Sequence, residues 1–516
     1  MTFPHLPELF DPIAWWATVD GERTALIDAP TGARSTYRAL HHEADVWHGL
    51  LAARGVAPGD PVAILAQNRV EFIPLFFACI RRGAILVPLN WRLSPPELGR
   101  VLAHAEPALL FGEDSLRGLA EAAVQHGGRA VPWWDLDRDV PRLLSRARED
   151  AVPASPPRTH DDCTMLLYTS GSTGAPKGVM LPHRQLLWNA MATTIGWGLG
   201  PADVAPAATP FFHTGGWHVF TTPLLSRGGT VVLFGPFDAD SYLDTLARYG
   251  LTMTFGVPTQ LDLLQRSASW GTPLPALRTF ISGGAPCPQR TRDAVRNAGY
   301  RFREGYGLTE CGPNCFATND TTARRKDGTV GWPVPFLQMR LRHADGHLVA
   351  PDDIGELELR GPQLFGGYFR APEVTAEALT PDGWLRTGDL ASADAEGTHR
   401  IRGRRKEMFI SGGENVFPGE VEAALLDVPG VLEAAVVGVP DARWGEVGCA
   451  LVVTRGGTGM PEVGALLAQA RERLAGYKVP RHVVFAEAIP KLGSGKIDRR
   501  AVTAQVRGTL SLSGPA

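Results

Sequence analysis

Leu167-Tyr-Thr-Ser-Gly-Ser-Thr-Gly-Ala-Pro-Lys-Gly178 is the stretch from which the rest of the chain can be read. An apolar run, Thr164 to Tyr168, has the composition of a buried strand. It leads into Thr169, Ser170, Gly171, Ser172, Thr173 and Gly174, drawn only from Thr, Ser and Gly. Glycines let successive backbone N–H groups turn toward an anion, and the hydroxyls add donors. Lys177 then supplies a point charge, so the loop is suited to wrapping a polyphosphate. It is not a Walker A loop, which needs Gly-Lys-Ser/Thr: here Pro176 precedes Lys177 and Gly178 follows it. Val179-Met-Leu181 continues as a strand, so no helix dipole is expected to assist.

Upstream, helical and strand-like patterns alternate. Tyr37 to Arg54 reads as an amphipathic helix and Pro61 to Ala66 as a short buried strand. Glu71 to Arg82 reads as an apolar helix and Ala84 to Pro88 as the next strand. Strand–helix–strand at this spacing implies βαβ units and a mostly parallel sheet. The pattern returns in Asp203 to Phe234 and in Leu251 to Ser282, and the stretch from Glu149 to Asp162 reads as a surface connection. After Arg405 the chain reads as a compact α+β unit: helix Glu420 to Leu426, strands Glu433 to Val439 and Cys449 to Thr454, and helix Val463 to Leu474. The expected fold is α/β. A large N-terminal domain, residues 1–403, has parallel-rich sheets layered with helices. A small mobile α+β C-terminal domain, residues 404–516, follows a boundary in Gly403 to Lys406.

Composition narrows the function. The chain has 516 residues, 44% hydrophobic and 20% charged, which is ordinary globular usage. Lys plus Arg number 51 against 54 Asp plus Glu, a formal charge of −3, so no basic surface for nucleic acid is expected. The six cysteines form no CxxC pair, and free thiols in a reducing compartment are expected. The start of the sequence lacks the basic and apolar segments of a signal peptide. The longest apolar run, Phe72 to Ile80, is too short to cross a bilayer. The expectation is a cytoplasmic protein, monomer or homodimer, without membrane insertion.

Tyr168 to Val179 resembles the phosphate loop of the adenylate-forming superfamily: acyl- and aryl-CoA synthetases, luciferases and the adenylation domains of peptide synthetases. Further segments match in the family's order: Pro210-Phe-Phe-His213, Ser282-Gly-Gly-Ala-Pro286, Gly305-Tyr-Gly-Leu-Thr-Glu310, Gly355-Glu-Leu and Trp384-Leu-Arg-Thr-Gly-Asp389. They continue with Gly403-Arg-Arg-Lys-Glu-Met408, Gly413-Glu-Asn-Val-Phe-Pro418 and Pro490-Lys-Leu-Gly-Ser-Gly-Lys496. The resemblance implies two steps. A carboxylate attacks the α-phosphate of ATP, giving an acyl-adenylate and pyrophosphate. A thiol then attacks the acyl carbon and AMP leaves. Two anions meet in the first step, so cations and N–H donors are needed at the reacting centre.

By resemblance, Lys496, Thr309, Glu310 and His213 form the catalytic set. Lys496 bridges carboxylate and α-phosphate, Thr309 touches the α-phosphate, and Glu310 with Thr173 holds Mg²⁺. Gly283, Gly284, Ala285, Glu304, Gly305, Tyr306 and Gly307 surround the adenine. Asp389 accepts from the ribose hydroxyls, and Arg404 reaches ribose or phosphate. Lys406 is the hinge, and Gly412 and Gly413 line the path of the thiol arm. The usual threonine after Pro490-Lys491 is Leu492 here. Peptide-synthetase domains place an aspartate after the aromatic segment to pair with an ammonium. Pro210 to Leu225 contains no Asp or Glu, so an amino acid substrate is not expected. Phe212, His213, Gly215, Gly216, Trp217, Phe255, Gly307 and Asn314 are expected to line the acyl pocket, with Trp217 closing its floor. An aryl acid or a medium-chain fatty acid suits that lining, and Asn90-Trp-Arg-Leu-Ser-Pro-Pro-Glu-Leu98 resembles the fatty acyl branch. Val437 to Glu446 resembles CoA ligases, which favours coenzyme A over a carrier protein as thiol acceptor. A carrier-loading adenylase and a luciferase-type oxygenase are the alternatives.

Overall fold

The computed structural model describes residues 9–127, 131–149, 153–170, 176–454, 462–492 and 496–510. Helix Tyr37–Ala53 and helix Phe72–Arg82 flank strands Pro61–Leu65 and Ile85–Pro88, as the periodicity predicts. These two strands are the centre of a six-stranded sheet. In spatial order it runs Trp133–Asp135, Leu109–Gly112, Pro61–Leu65, Ile85–Pro88, Cys163–Ser170 and Pro176–Pro182. All neighbours are parallel except the last pair, a hairpin. Parallel strands buried on both faces read as continuous apolar runs, which is why Pro61–Leu65 and Ile85–Pro88 carry no alternation.

Two further sheets adjoin each other where the Thr252 amide donates to the Val204 carbonyl at 2.8 Å. Strands Val204–Ala207, Thr230–Leu233 and Thr24–Asp28 run parallel, with Arg34–Thr36 antiparallel at the edge. Met253–Gly256, Thr279–Ser282 and Arg301–Glu304 form a parallel three-stranded sheet, whose C-terminal ends open into the loop at Gly283 and the hairpin at Tyr306. Ligands in open α/β sheets bind at such strand ends. An antiparallel sheet of Gln338–Arg342, Ile354–Arg360, Leu385–Ala393 and His399–Arg404 follows.

Beyond Arg404 the architecture changes. Strands Phe409–Ser411, Glu414–Val416, Val431–Asp441, Gly445–Thr454 and His482–Phe485 make one mixed sheet, covered by helices Pro418–Leu426, Val463–Arg471 and Arg499–Thr509. Its two apolar clusters, around Val436 and Leu466 and around Val439 and Val502, are built only from this part of the chain. The main cluster of the larger part, around Trp47, Phe76 and Trp217, contains none of it. Each part therefore buries its own core.

Candidate functional site

The hairpin Cys163–Ser170/Pro176–Pro182 pairs Thr169 with Lys177 and Ser170 with Pro176, the described residues on either side of the Ser/Thr/Gly stretch. Gly171, Ser172, Thr173 and Gly174 lie outside the described residues. Phe365 to Phe369 runs along the second hairpin strand: the Met180 amide donates to the Gly367 carbonyl at 3.0 Å and the Phe369 amide to Gly178 at 2.8 Å. That alignment carries Tyr368 to the site. Its ring lies 5.3 Å from the Lys177 ammonium, and its hydroxyl donates to Glu310 Oε1 at 2.8 Å. Burial and the Glu310 charge push the Tyr368 phenol well above its ordinary range, so it stays a donor. The sequence reading passes over Tyr368. Its only local signal is an aromatic residue directly after Gly366-Gly367.

Glu310 sits in the turn between strands Tyr306–Leu308 and Gly312–Ala317, with Leu308 and Gly312 in register. Gly312 has φ +93°, and a Cβ on Gly307 would lie 2.2 Å from the Pro313 carbonyl carbon. Both positions need glycine to bring Thr309 and Glu310 to the apex. The Thr309 carbonyl accepts from Gln185 Nε2 at 3.0 Å, and the Phe365 amide donates to the Glu310 carbonyl at 2.7 Å. The turn is thus tied to the helix His183–Trp197 on one side and to the Tyr368 segment on the other.

Asp389 is buried beside this turn. Its Oδ2 accepts from the Tyr306 hydroxyl at 2.5 Å, and Arg404 Nε lies 3.1 Å from Oδ1. Arg404 is directly opposite Asp389 in the antiparallel pair, so sheet register makes that contact. Burial, then Asp389, raises the Tyr306 phenol far above its usual range. Tyr306 therefore serves Asp389 as a donor as well as presenting a ring. Gly283 follows strand Thr279–Ser282, and a Cβ there would meet the Gly305 carbonyl at 3.2 Å and the Phe255 ring at 3.3 Å. Gly284 has φ +81°, and Ala285 is exposed. Glu304 is paired with Arg292 at 3.1 Å; burial raises its carboxyl pKa and Arg292 opposes the rise.

Lys496 completes the cluster from the other part of the chain. The strand-like pairing of Lys491 with Ile497, and the Leu492 amide donating to the Lys496 carbonyl at 2.8 Å, close its loop. The residue is exposed to solvent, although protein groups lie around its ammonium. That crowding, followed by Arg404, lowers its pKa below the usual lysine value, while Asp389, Glu310 and Glu407 pull the other way. Three of these groups, Arg404, Asp389 and Glu310, are residues expected to hold nucleotide or metal. Lys406 lies in the turn between strands His399–Arg404 and Phe409–Ser411. Gly412 and Gly413 form the tip of the next hairpin, with φ +62° and +89°. A Cβ on Gly412 would lie 2.5 Å from the Trp444 ring.

The expected acyl pocket needs correction. Trp217 is fully buried, its Nε1 donates to the Phe211 carbonyl at 2.6 Å, and its ring packs on Phe211, Phe76 and Phe72. It belongs to the core beneath the site and does not close a pocket floor. Asn314 is likewise a tie between elements: its Nδ2 donates to Thr193 Oγ1 at 3.1 Å and to the His218 carbonyl at 3.2 Å. A Cβ on Gly216 would lie 2.7 Å from the carbonyl oxygens of Thr209 and Pro210, and one on Gly215 would touch Thr209 Cγ2 at 3.1 Å. These glycines allow close packing rather than open space, and so does Gly307. Of the residues expected to line the acyl pocket, Phe212, His213 and Phe255 remain as candidates. Trp91 and Arg92 stand beside Phe212: Trp91 lies edge-on to it at 6.5 Å, and Arg92 sits 4.9 Å from the Trp91 ring and 5.9 Å from the Phe212 ring.

A buried carboxylate in a strand pair, a glutamate at a hairpin apex and a lysine from a separately cored part of the chain fit an adenylate-forming enzyme. The chain belongs to the AMP-binding enzyme family, in its CoA-ligase branch: the AMP-binding enzyme model matches residues 13–369 and the AMP-binding enzyme C-terminal domain model residues 420–496. Among its relatives are a feruloyl-CoA synthase of Amycolatopsis, 40% identical over 90% of this chain and 93% of that one. An indoleacetate–CoA ligase of Aromatoleum aromaticum is 38% identical over 87% and 88%. The ATP-bound crystal structure of MatB from Rhodopseudomonas palustris superposes with a TM-score of 0.86 at 33% identity, covering 96% of this chain and 99% of that one.

Proposed function

We propose that this chain is an ATP-dependent acid–thiol ligase that activates an aryl carboxylic acid as its acyl-adenylate, releases pyrophosphate, and passes the acyl group to coenzyme A. The carrying observation is that the charges of Arg404, Asp389 and Glu310 act on Lys496 although its loop packs with a separately cored part of the chain. A cation at that point neutralises the attacking carboxylate and the α-phosphate as charge moves between them. Lys177 and the hydroxyl-rich loop hold the β- and γ-phosphates, Thr309 the α-phosphate, and Asp389 the ribose hydroxyls. Among the described residues no group of three His, Cys, Asp or Glu is assembled to hold a metal. A single Glu310 carboxylate, one oxygen already taken by Tyr368, fits Mg²⁺, which keeps most of its shell as water and phosphate oxygen. Mg²⁺ held by Glu310 would supply charge neutralisation on the phosphates.

The two separately cored parts, residues 1–403 and 404–516, are proposed to change orientation about Lys406 between the half-reactions. A lysine needed in the first step occupies space the thiol needs in the second. In the second orientation the hairpin tip at Gly412 and Gly413 would flank the pantetheine arm: a Cβ on Gly413 would meet nothing within 4 Å, which leaves the arm room, whereas Gly412 makes way for the Trp444 ring. The aryl preference rests on the Trp91–Phe212 aromatic pair and on relatives named for feruloyl and indoleacetyl groups. No helix among the described residues is long and apolar enough to cross a membrane, and a cytoplasmic enzyme is proposed. The test is pyrophosphate release over benzoates, hydroxybenzoates, cinnamates, arylacetates and C4 to C16 fatty acids, followed by CoA-dependent release of AMP. Fastest turnover with an aryl acid and free CoA is expected. Faster turnover with fatty acids, or none with free CoA, would overturn the reading.

A further inference from the structure

Arg290 joins the two parts of the chain. It lies in the first turn of helix Gln289–Asn297, four residues after Pro286 of the adenine loop. Its guanidinium reaches across to the C-terminal end of helix Pro418–Leu426. Nη1 donates to the carbonyl of Leu426 and, at 3.0 Å, to that of Val431. The Arg290 amide lies 3.4 Å from Asp427 Oδ1, and Asp427 also pairs with Arg473. A helix C-terminus presents unpaired carbonyls and a partial negative charge, both of which a guanidinium satisfies. At the other end of the same helix, a Cβ on Gly419 would sit 3.7 Å from Pro286. Helix Pro418–Leu426 is therefore seated against residues 286–290, immediately behind the loop expected to hold adenine. Arg292 secures that seat from below, donating to the Cys287 carbonyl and, at 2.6 Å, to Gln289 Oε1.

We infer that Arg290 is a latch: a positioning residue that holds the C-terminal part in the orientation where Lys496 enters the site. This rests on the proposed change of orientation about Lys406. Arg290 touches no reacting group. Its contacts to Leu426, Val431 and Asp427 exist only while the two parts are seated as they are here. Rotation about Lys406 would break them, so they weight the balance between orientations toward the adenylate-forming one. Nucleotide bound at Gly283–Ala285 would steady the same seat and strengthen the latch before the acid is activated.

The experiment uses the full chain and the best acid of the panel, with its synthetic adenylate for the second step. Arg290→Ala should slow adenylate formation about tenfold, equivalent to about 1.4 kcal/mol. It should leave thioester formation from the supplied adenylate at or above the unsubstituted rate. Arg290→Lys, which keeps one cationic donor without the fork, should recover part of the loss. Lys406→Pro is the control for the hinge and should impair only the second half-reaction. Equal effects on both half-reactions in Arg290→Ala, or no effect on either, would overturn the latch. If Lys406→Pro still separates the steps in that event, the two-orientation reading stands without it. If neither variant separates them, both fall.

Discussion

Replacing Trp217 by alanine tests whether the aromatic residues after His213 form the acyl pocket or the floor of the core. In the structure the indole has no exposed surface and packs at ring separations of 4.4 Å on Phe211, 4.8 Å on Phe76 and 6.4 Å on Phe72. A large-to-small change at such a site costs about 3–5 kcal/mol from lost transfer energy and the cavity left behind. The Phe211 carbonyl also loses its only indole donor, and an unpaired buried acceptor costs about 1–3 kcal/mol. The two overlap, so a loss in the upper half of ~3–5 kcal/mol is expected, a large share of the ~5–15 kcal/mol typical of a folded domain. Urea unfolding followed by circular dichroism should show the midpoint falling with its slope retained. Trp217→Phe, which keeps most of the ring but not the N–H, should lose only the hydrogen-bond portion. The kcat/KM profile over aryl and fatty acids should keep its rank order in both variants. Stability within about 1 kcal/mol of the unsubstituted enzyme, together with a shift toward longer acids as each added methylene gains ~0.8 kcal/mol of burial, would refute the core assignment.

Three other outcomes follow from the site. Lys496→Ala should slow adenylate formation by on the order of 10²- to 10³-fold and spare thioester formation from a supplied adenylate, as measured by separate half-reaction assays. Because Lys496 must be cationic and its pKa is lowered by crowding and Arg404, adenylate formation should decline as pH rises, beginning below the usual lysine range; the thioester step should lack that limb, and Lys496→Arg should move it upward. Tyr368→Phe removes a hydrogen bond to the Glu310 carboxylate worth about 1.5–3 kcal/mol, so pyrophosphate release should need more Mg²⁺, and an unchanged Mg²⁺ titration would count against Tyr368 as the residue that orients Glu310.

The local features of this protein are written in its sequence because local chemistry is enough to produce them. The hairpin that carries the phosphate loop, the parallel strands of continuous apolar residues and the helices between them all follow from composition and period. Glu310 is legible only through the resemblance of Gly305-Tyr-Gly-Leu-Thr-Glu310 to a family segment; its place in a tight turn permitted by Gly307 and Gly312 comes from the folded chain. Boundaries moved only slightly, as where strand Val431–Asp441 extends beyond the run of apolar residues that announces it.

What tertiary structure alone decided is which of these pieces face one another. Trp217 in a stretch of Phe, His and Gly has the same local signature whether it walls a pocket or fills a core; its packing on Phe72 and Phe76, far away in sequence, is seen only in the folded chain. Tyr368 reaches Glu310 because a backbone ladder beside Met180 brings it there, and ladders between distant segments leave no periodic trace in either. Arg290 reads as one more charge on a solvated helix until the carbonyls of Leu426 and Val431 are seen around it. Composition and periodicity report how much a residue must be buried and what its own backbone can do. The identity of its neighbour is fixed by the packing of whole elements, and that is a property of the folded chain.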